Sequence, residues 1–191
     1  MNPMDTAIFH GVQSLVGVSP WLDGLGVFCA SVLIWVEAAA VLGFFLQDRR
    51  RFLVLAAAAI SALLAWLASD GIGLVYFRPR PFAALADAQL LISKSPLDKS
   101  FPSDHATIAF ALAFAVYQAD RRWGGALLAV AAVIAAARVF VGVHYFSDIV
   151  AGAFLGMIVA FIVHRLIHKI LHTKHHQLIK NPPRVGDAAR H

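Results

Sequence analysis

Arg138, His144 and Asp148 all fall inside one apolar stretch, ARVFVGVHYFSDIVAG, residues 137–152. A charged side chain in hydrocarbon costs roughly 2.5–3.5 kcal/mol on insertion scales, so such groups are retained where they do chemistry. If helical, His144 and Asp148 share a face, and the carboxylate can accept one imidazole N–H, fix the tautomer and leave the other ring nitrogen as a nucleophile. The Arg138 guanidinium matches phosphate oxygens two at a time. Two further clusters carry the same kind of chemistry: RPRPF (78–82) holds Arg78 and Arg80, and FPSDHAT (101–107) holds Ser103, Asp104 and His105. Pro102 followed by Ser103 or Asp104 marks a helix start, whose outward-pointing amides bind anions with help from the macrodipole. His105 in the first turn of that helix is placed to act as a general acid or base.

Plainer readings stand beside this one. Ser103 alone reads as an N-cap, and Arg138 with Asp148 could be a charge pair locking two helices. That pair leaves His144, His105 and Arg80 without a role. His105, His144 and Asp148 are also candidate metal ligands, but the arginines around them would repel a cation and suit an anion.

The elements that must position these residues follow from composition. The chain has 191 residues, 60% hydrophobic and only 14% charged, with a mean hydropathy of +0.72. Soluble domains average about 25% charged residues, so the chain is expected to be an all-α, polytopic membrane bundle. Runs near the roughly 20 residues a span needs occur at 23–46, 52–77, 103–119, 124–143 and 147–171, about five in all. Before them, Ile8, Phe9, Val12, Leu15 and Val16 lie on one face of a helix. This segment is expected to lie in the interface or pack on the bundle. Residues 1–171 are read as one membrane-embedded domain and 172–191 as a mobile basic tail. The N-terminus lacks a basic n-region and a cleavage site, so nothing is expected to be removed. The single cysteine, Cys29, excludes an intramolecular disulfide.

Lysine and arginine set the orientation. QDRRR (47–51), DRR (120–122) and the tail are basic, whereas the first 46 residues contain neither Lys nor Arg. These segments are expected in the cytoplasm, placing the N-terminus, the 78–102 loop and the 144–147 turn outside. All three chemical clusters then meet at the outer face. The net charge of +5 is accounted for by these loops rather than by a nucleic-acid partner. Nothing in the sequence sets an oligomeric state.

The clusters resemble the signature of the type 2 phosphatidic acid phosphatase superfamily: Lys-x6-Arg-Pro, Pro-Ser-Gly-His and Ser-Arg-x5-His-x3-Asp. Arg80-Pro81, Pro102-Ser103-Asp104-His105 and Arg138, His144, Asp148 match in order and spacing. VYFRPRPF, SFPSDHAT and RVFVGVHY look most like the bacitracin-resistance-type undecaprenyl-pyrophosphate phosphatases, in which Asp commonly stands for that Gly. The resemblance implies attack by His144 on a lipid pyrophosphate, with Asp148 holding it and His105 protonating the leaving group. Arg80, Arg138, Ser103 and the helix-start amides would stabilise the transferring phosphoryl group. It implies no metal or other cofactor, a periplasmic or exterior site in a bacterial cell membrane, and recycling of the carrier lipid for peptidoglycan synthesis. Phosphatidic acid, phosphatidylglycerol phosphate or a lipid A phosphate are alternative substrates of the same mechanism. A transporter using Arg138, His144 and Asp148 as an ion path would string polar residues along the membrane depth instead. Two positions depart from the signature: the lysine falls at Gly73, for which Arg78 is a candidate substitute at a different spacing, and the serine before Arg138 is Ala137.

Other intramembrane polar groups carry weaker signals. Glu37 lies deep in the first span and reads as structural, and Asp70 is a candidate partner of Arg78 or Arg80. The tail His168–Gln177 could bind metal but suits anionic lipid heads better. Trp35, Trp66 and Trp123 read as packing or interface anchors.

Overall fold

A computed structural model describes residues 3–46, 48 and 51–180, with side chains described to residue 170. The described residues form helices and no strands. They are α1 (Pro3–Gln13), α2 (Pro20–Ser31), α3 (Leu33–Leu46), α4 (Phe52–Val75), the single turn α5 (Pro81–Ala84), α6 (Asp104–Ala119), α7 (Arg121–Phe140) and α8 (Phe146–Lys180). α4, α7 and α8 are each long and apolar enough to cross a membrane. α2 and α3 qualify as a pair but bend by 51° at their break. This makes a multi-pass membrane protein with three spans by length and composition, or four with the bent pair. α6 is the third run expected from the sequence; at 16 residues it extends only about 24 Å.

α6 is central, packed on α4, α7 and α8. Its facing positions are small, and Ala106, Ala109 and Ala113 are fully buried. α8 meets it through Gly152 and Gly156. A Cβ at Gly156 would stand 2.2 Å from the Thr107 carbonyl oxygen, and one at Gly152 2.7 Å from that of Ser103. This Gly-x3-Gly spacing permits backbone-to-backbone contact without a hydrophobic driving force between helices. It draws the start of α6 against the start of α8. The ends of α4 and α7 arrive at the same level, so the three polar clusters gather at one end of the bundle.

α1 packs on α7 and α8. Phe9 is fully buried against Tyr145, and Gln13 is 6% exposed, its amide nitrogen donating to the Phe140 carbonyl. The packed alternative of the sequence reading is the one found. α8 continues as helix to Lys180, into the region read as a tail. Side chains from 171 on, which include all of the His-rich segment except His168, Lys169 and Ile170, and residues 181–191 lie outside the described residues, as do Gln47, Arg49 and Arg50 of the first basic loop.

Candidate active site

His144 occupies the turn between α7 and α8. The chain leaves α7 through Gly142, whose φ of +87° an L side chain rarely adopts. This reversal faces His144 inward, 3% exposed. Its Nδ1 lies 2.8 Å from the Ser100 carbonyl oxygen. A carbonyl only accepts, so Nδ1 carries the proton and Nε2 the lone pair. Nε2 stands 3.4 Å from Arg80 Nη1.

Asp148 acts one step further back than the sequence spacing suggests. Its Oδ2 is 3.7 Å from His144 Nδ1, too far for a hydrogen bond. α8 begins at Phe146, so His144 precedes the helix and the i,i+4 geometry does not apply. Asp148 Oδ2 instead accepts from Ser100 Oγ at 2.6 Å and Tyr145 N at 2.8 Å. Asp148 thereby fixes Ser100, whose carbonyl orients His144. Ser100 opens the SFPSDHAT stretch but drew no role from sequence; its contact with both residues supplies one.

Burial holds the His144 imidazole down to about 4, with Arg138 and Arg80 adding to the effect and Asp148 opposing it. The unfolded chain takes up this proton near pH 6.5 and the folded chain near 4, so the group costs the fold stability as pH falls through that window. At pH 5.5 a 15N-histidine spectrum is expected to show His144 neutral and protonated on Nδ1. A midpoint near 6.5 would contradict this arrangement.

Arg138, at the last turn of α7, is 2% exposed. Its Nη1 donates to the Ala30 carbonyl at 2.8 Å, close to the break between α2 and α3, where helix-end carbonyls attract a cation. No ion pair with Asp148 forms, so the charge-lock reading fails on geometry. Arg80, 4% exposed, donates from Nη1 to the Val143 carbonyl at 3.2 Å. Arg80 Nε, Arg138 Nε and Ser103 Oγ are buried and have no hydrogen-bond partner among the described residues. Unpaired buried donors are costly, and those of Arg80 and Arg138, which border one cavity with His144, are what an oxyanion would satisfy. Ser103 is the N-cap of α6 by position, but its side chain makes no capping bond.

His144, Arg80, Arg138, His105 and Asp104 line a single cavity of about 320 Å³. Lys94 joins them, and Ile34, Trp35, Ala38 and Trp66 continue the wall between α3 and α4. Trp35 and Trp66, read from sequence as anchors, therefore border the site. A larger cavity of about 800 Å³ lies at the other end of α6 and α8, lined by residues such as Phe114, Arg121 and His164. It lacks His144 and the groups that orient it, so size does not mark the candidate site.

Arg78 is not among these lining residues. It donates to Asp148 Oδ1 at 2.6 Å and Asp5 Oδ2 at 2.9 Å, and lies 4.0 Å over the Tyr145 ring. Burial opposes its charge, but Asp148 and Asp5 more than offset this and hold its proton tightly. Asp70, the suggested partner, is exposed on α4. Glu37 is 1% exposed, with both carboxyl oxygens unpartnered among the described residues.

The structure also bears on the lysine missing at Gly73. Lys99 lies across Gly73, where a Cβ would come 1.8 Å from Lys99 Cδ. Lys99 Nζ reaches Asp104 Oδ1 at 2.6 Å and Ser69 Oγ at 3.2 Å. A cation thus enters from the loop through space that only glycine leaves open. Gly73→Ala is expected to displace Lys99 and lower kcat/KM about tenfold, matching Lys99→Ala. Gly73→Lys with Lys99→Ala should recover most of that loss; no recovery would show that the two positions are not interchangeable.

The PAP2 superfamily profile matches residues 50–171, and the chain belongs to that superfamily of phosphatases, as a membrane-embedded member. Among its relatives, YbjG of Escherichia coli K12 is 34% identical over 164 residues, 83% of this chain and 80% of YbjG. Undecaprenyl-diphosphatase BcrC of Bacillus subtilis is 31% identical over 162 residues, covering 83% and 81%. The crystal structure of Aquifex aeolicus LpxE superimposes with a TM-score of 0.72 at 23% identity, over 85% of this chain and 95% of that one. The last likeness is one of fold.

Proposed function

We propose that the chain hydrolyses undecaprenyl pyrophosphate to undecaprenyl phosphate through a phosphohistidine on His144. The observation that carries the reading is the pair of buried, unpartnered donors, Arg80 Nε and Arg138 Nε, on residues that border one cavity with a histidine whose Nε2 holds its lone pair, with the unpartnered Ser103 Oγ at the start of α6. Nε2 attacks the terminal phosphorus as the bond to the bridging oxygen breaks. His105 protonates the departing lipid phosphate, then takes a proton from the water that cleaves the phosphohistidine and releases inorganic phosphate. Arg80, Arg138 and Ser103 neutralise the equatorial oxygens throughout, the main contribution in phosphoryl transfer.

The substrate class is supported by the name of the Bacillus subtilis relative and by the cavity itself. Its polar end holds the arginines and Lys94, enough cation for two phosphates. Its apolar wall at Trp35 and Trp66, 73% and 41% exposed, gives an isoprenoid a lateral way in from lipid. The basic Arg121 and Arg122 at the opposite end favour a site facing the periplasm or exterior, where it would serve carrier-lipid recycling for cell-wall synthesis.

The test is phosphate release from undecaprenyl pyrophosphate by purified protein in detergent with EDTA. Turnover supports substrate and mechanism together. Activity only with added metal keeps the substrate and overturns the mechanism. Release only from a phosphatidyl monoester moves the substrate to another lipid phosphate.

A further inference from the structure

We infer that Asp5, on the N-terminal helix, is a positioning residue that completes the site from behind Asp148. It lies outside the segment matched by the family profile, 50–171. The inference rests on the His144 reading above.

Asp5 is 4% exposed. It accepts from the Ser147 backbone N–H at 2.9 Å, from Ser147 Oγ and from Arg78 Nη2 at 2.9 Å. Burial opposes its charge, yet the Ser147 and Arg78 bonds hold its carboxyl below the usual range. Arg78 Nη1 carries the contact on to Asp148 Oδ1 at 2.6 Å. Asp148 holds Ser100 Oγ, and the Ser100 carbonyl holds His144 Nδ1. One continuous path of short contacts therefore runs from Asp5 through Arg78, Asp148 and Ser100 to the nucleophile.

The charges explain why a second acid is useful. Arg78 and Asp148 alone would form a neutral pair, leaving nothing to balance positive charge on His144. With Asp5 sharing the guanidinium, two carboxylates face one cation, and the group behind His144 is net negative. An imidazole that takes a phosphoryl group on Nε2 while keeping its Nδ1 proton becomes positively charged on the ring. A fixed negative group a few ångströms away stabilises that state more than the resting enzyme. Asp5 also locks Ser147, the residue before Asp148, at the first turn of α8.

α1 has other anchors, the buried Phe9 and Gln13, so removing the Asp5 charge is expected to leave it docked. Asp5→Asn keeps the shape and should lower kcat about 10- to 100-fold with KM within about threefold. Asp5→Glu, which restores the charge, should recover most of the rate. In an Arg78→Gln background, Asp5→Asn should cost less than about threefold, because the path is already cut. Gln13→Ala, which loosens α1 without touching this path, should lower the melting temperature and spare kcat.

The assay uses whichever lipid phosphate the wild type turns over. Wild-type kcat in folded Asp5→Asn, a loss in KM alone, or full additivity with Arg78→Gln overturns the inference. If Asp5→Asn does not fold, the double variant decides, since it removes both members of the buried pair. A double variant well below Arg78→Gln alone then counts against the path. Failure of the His144 reading is read separately: His144→Ala that still turns over removes that reading, whatever Asp5→Asn does.

Discussion

His144→Ala is expected to reduce phosphate release from undecaprenyl pyrophosphate by at least about 10⁴-fold, with the protein still monodisperse in detergent. Removing a covalent nucleophile costs this much because the remaining groups bind phosphate but cannot open the two-step path. The side chain is 3% exposed, and its single short hydrogen bond is to a backbone carbonyl, so its loss leaves a small cavity rather than an unpaired charge. Wild-type protein quenched during turnover should carry acid-labile, base-stable phosphate, absent from the variant. Residual activity within tenfold of wild type would mean that water attacks directly and that His144 only binds.

Arg138→Lys is expected to lower kcat by about 10²- to 10³-fold, comparable to removing one preorganised donor from an oxyanion site. The guanidinium spends Nη1 on the Ala30 carbonyl and still presents Nε, which has no partner among the described residues. A lysine has one nitrogen for both tasks and no planar fork. The charge is retained, so electrostatic attraction for substrate changes little and the loss should fall on kcat more than KM. If Arg138 merely secured α2 to α7, the same variant would lower the melting temperature and leave kcat alone. Measuring both quantities on one preparation separates the two roles.

The residues of the candidate site were legible before any fold was known, because burying charge in apolar sequence is expensive and the three clusters declare themselves against their surroundings. Helix locations followed from apolar run length. The break at Val32 did not, because it coincides with a tertiary bond, Arg138 to the Ala30 carbonyl, from a residue far along the chain. The shortness of α6 did follow, since the apolar run read at 103–119 stops at Ala119, before Asp120 caps α7 by accepting from Arg122 N and Trp123 N.

The sequence by itself determined a helical membrane chain and put forward Arg80, Ser103, His105, Arg138, His144 and Asp148 as its candidate chemical residues. Composition, run length and the spacing of charged residues are all local properties and need no partner to be read. Only the tertiary structure decided what each residue touches. Asp148 reaches His144 through Ser100, because α8 starts after the histidine. Arg78 turns away from the cavity to Asp5, on the N-terminal helix to which the sequence assigned packing but no chemistry. Lys99 crosses Gly73 to reach Asp104. Each of these depends on segments brought together by packing, with Gly152 and Gly156 letting α8 close on α6. A hydrogen bond is decided over a few tenths of an ångström, and sequence spacing carries no information at that scale once the chain leaves a regular helix.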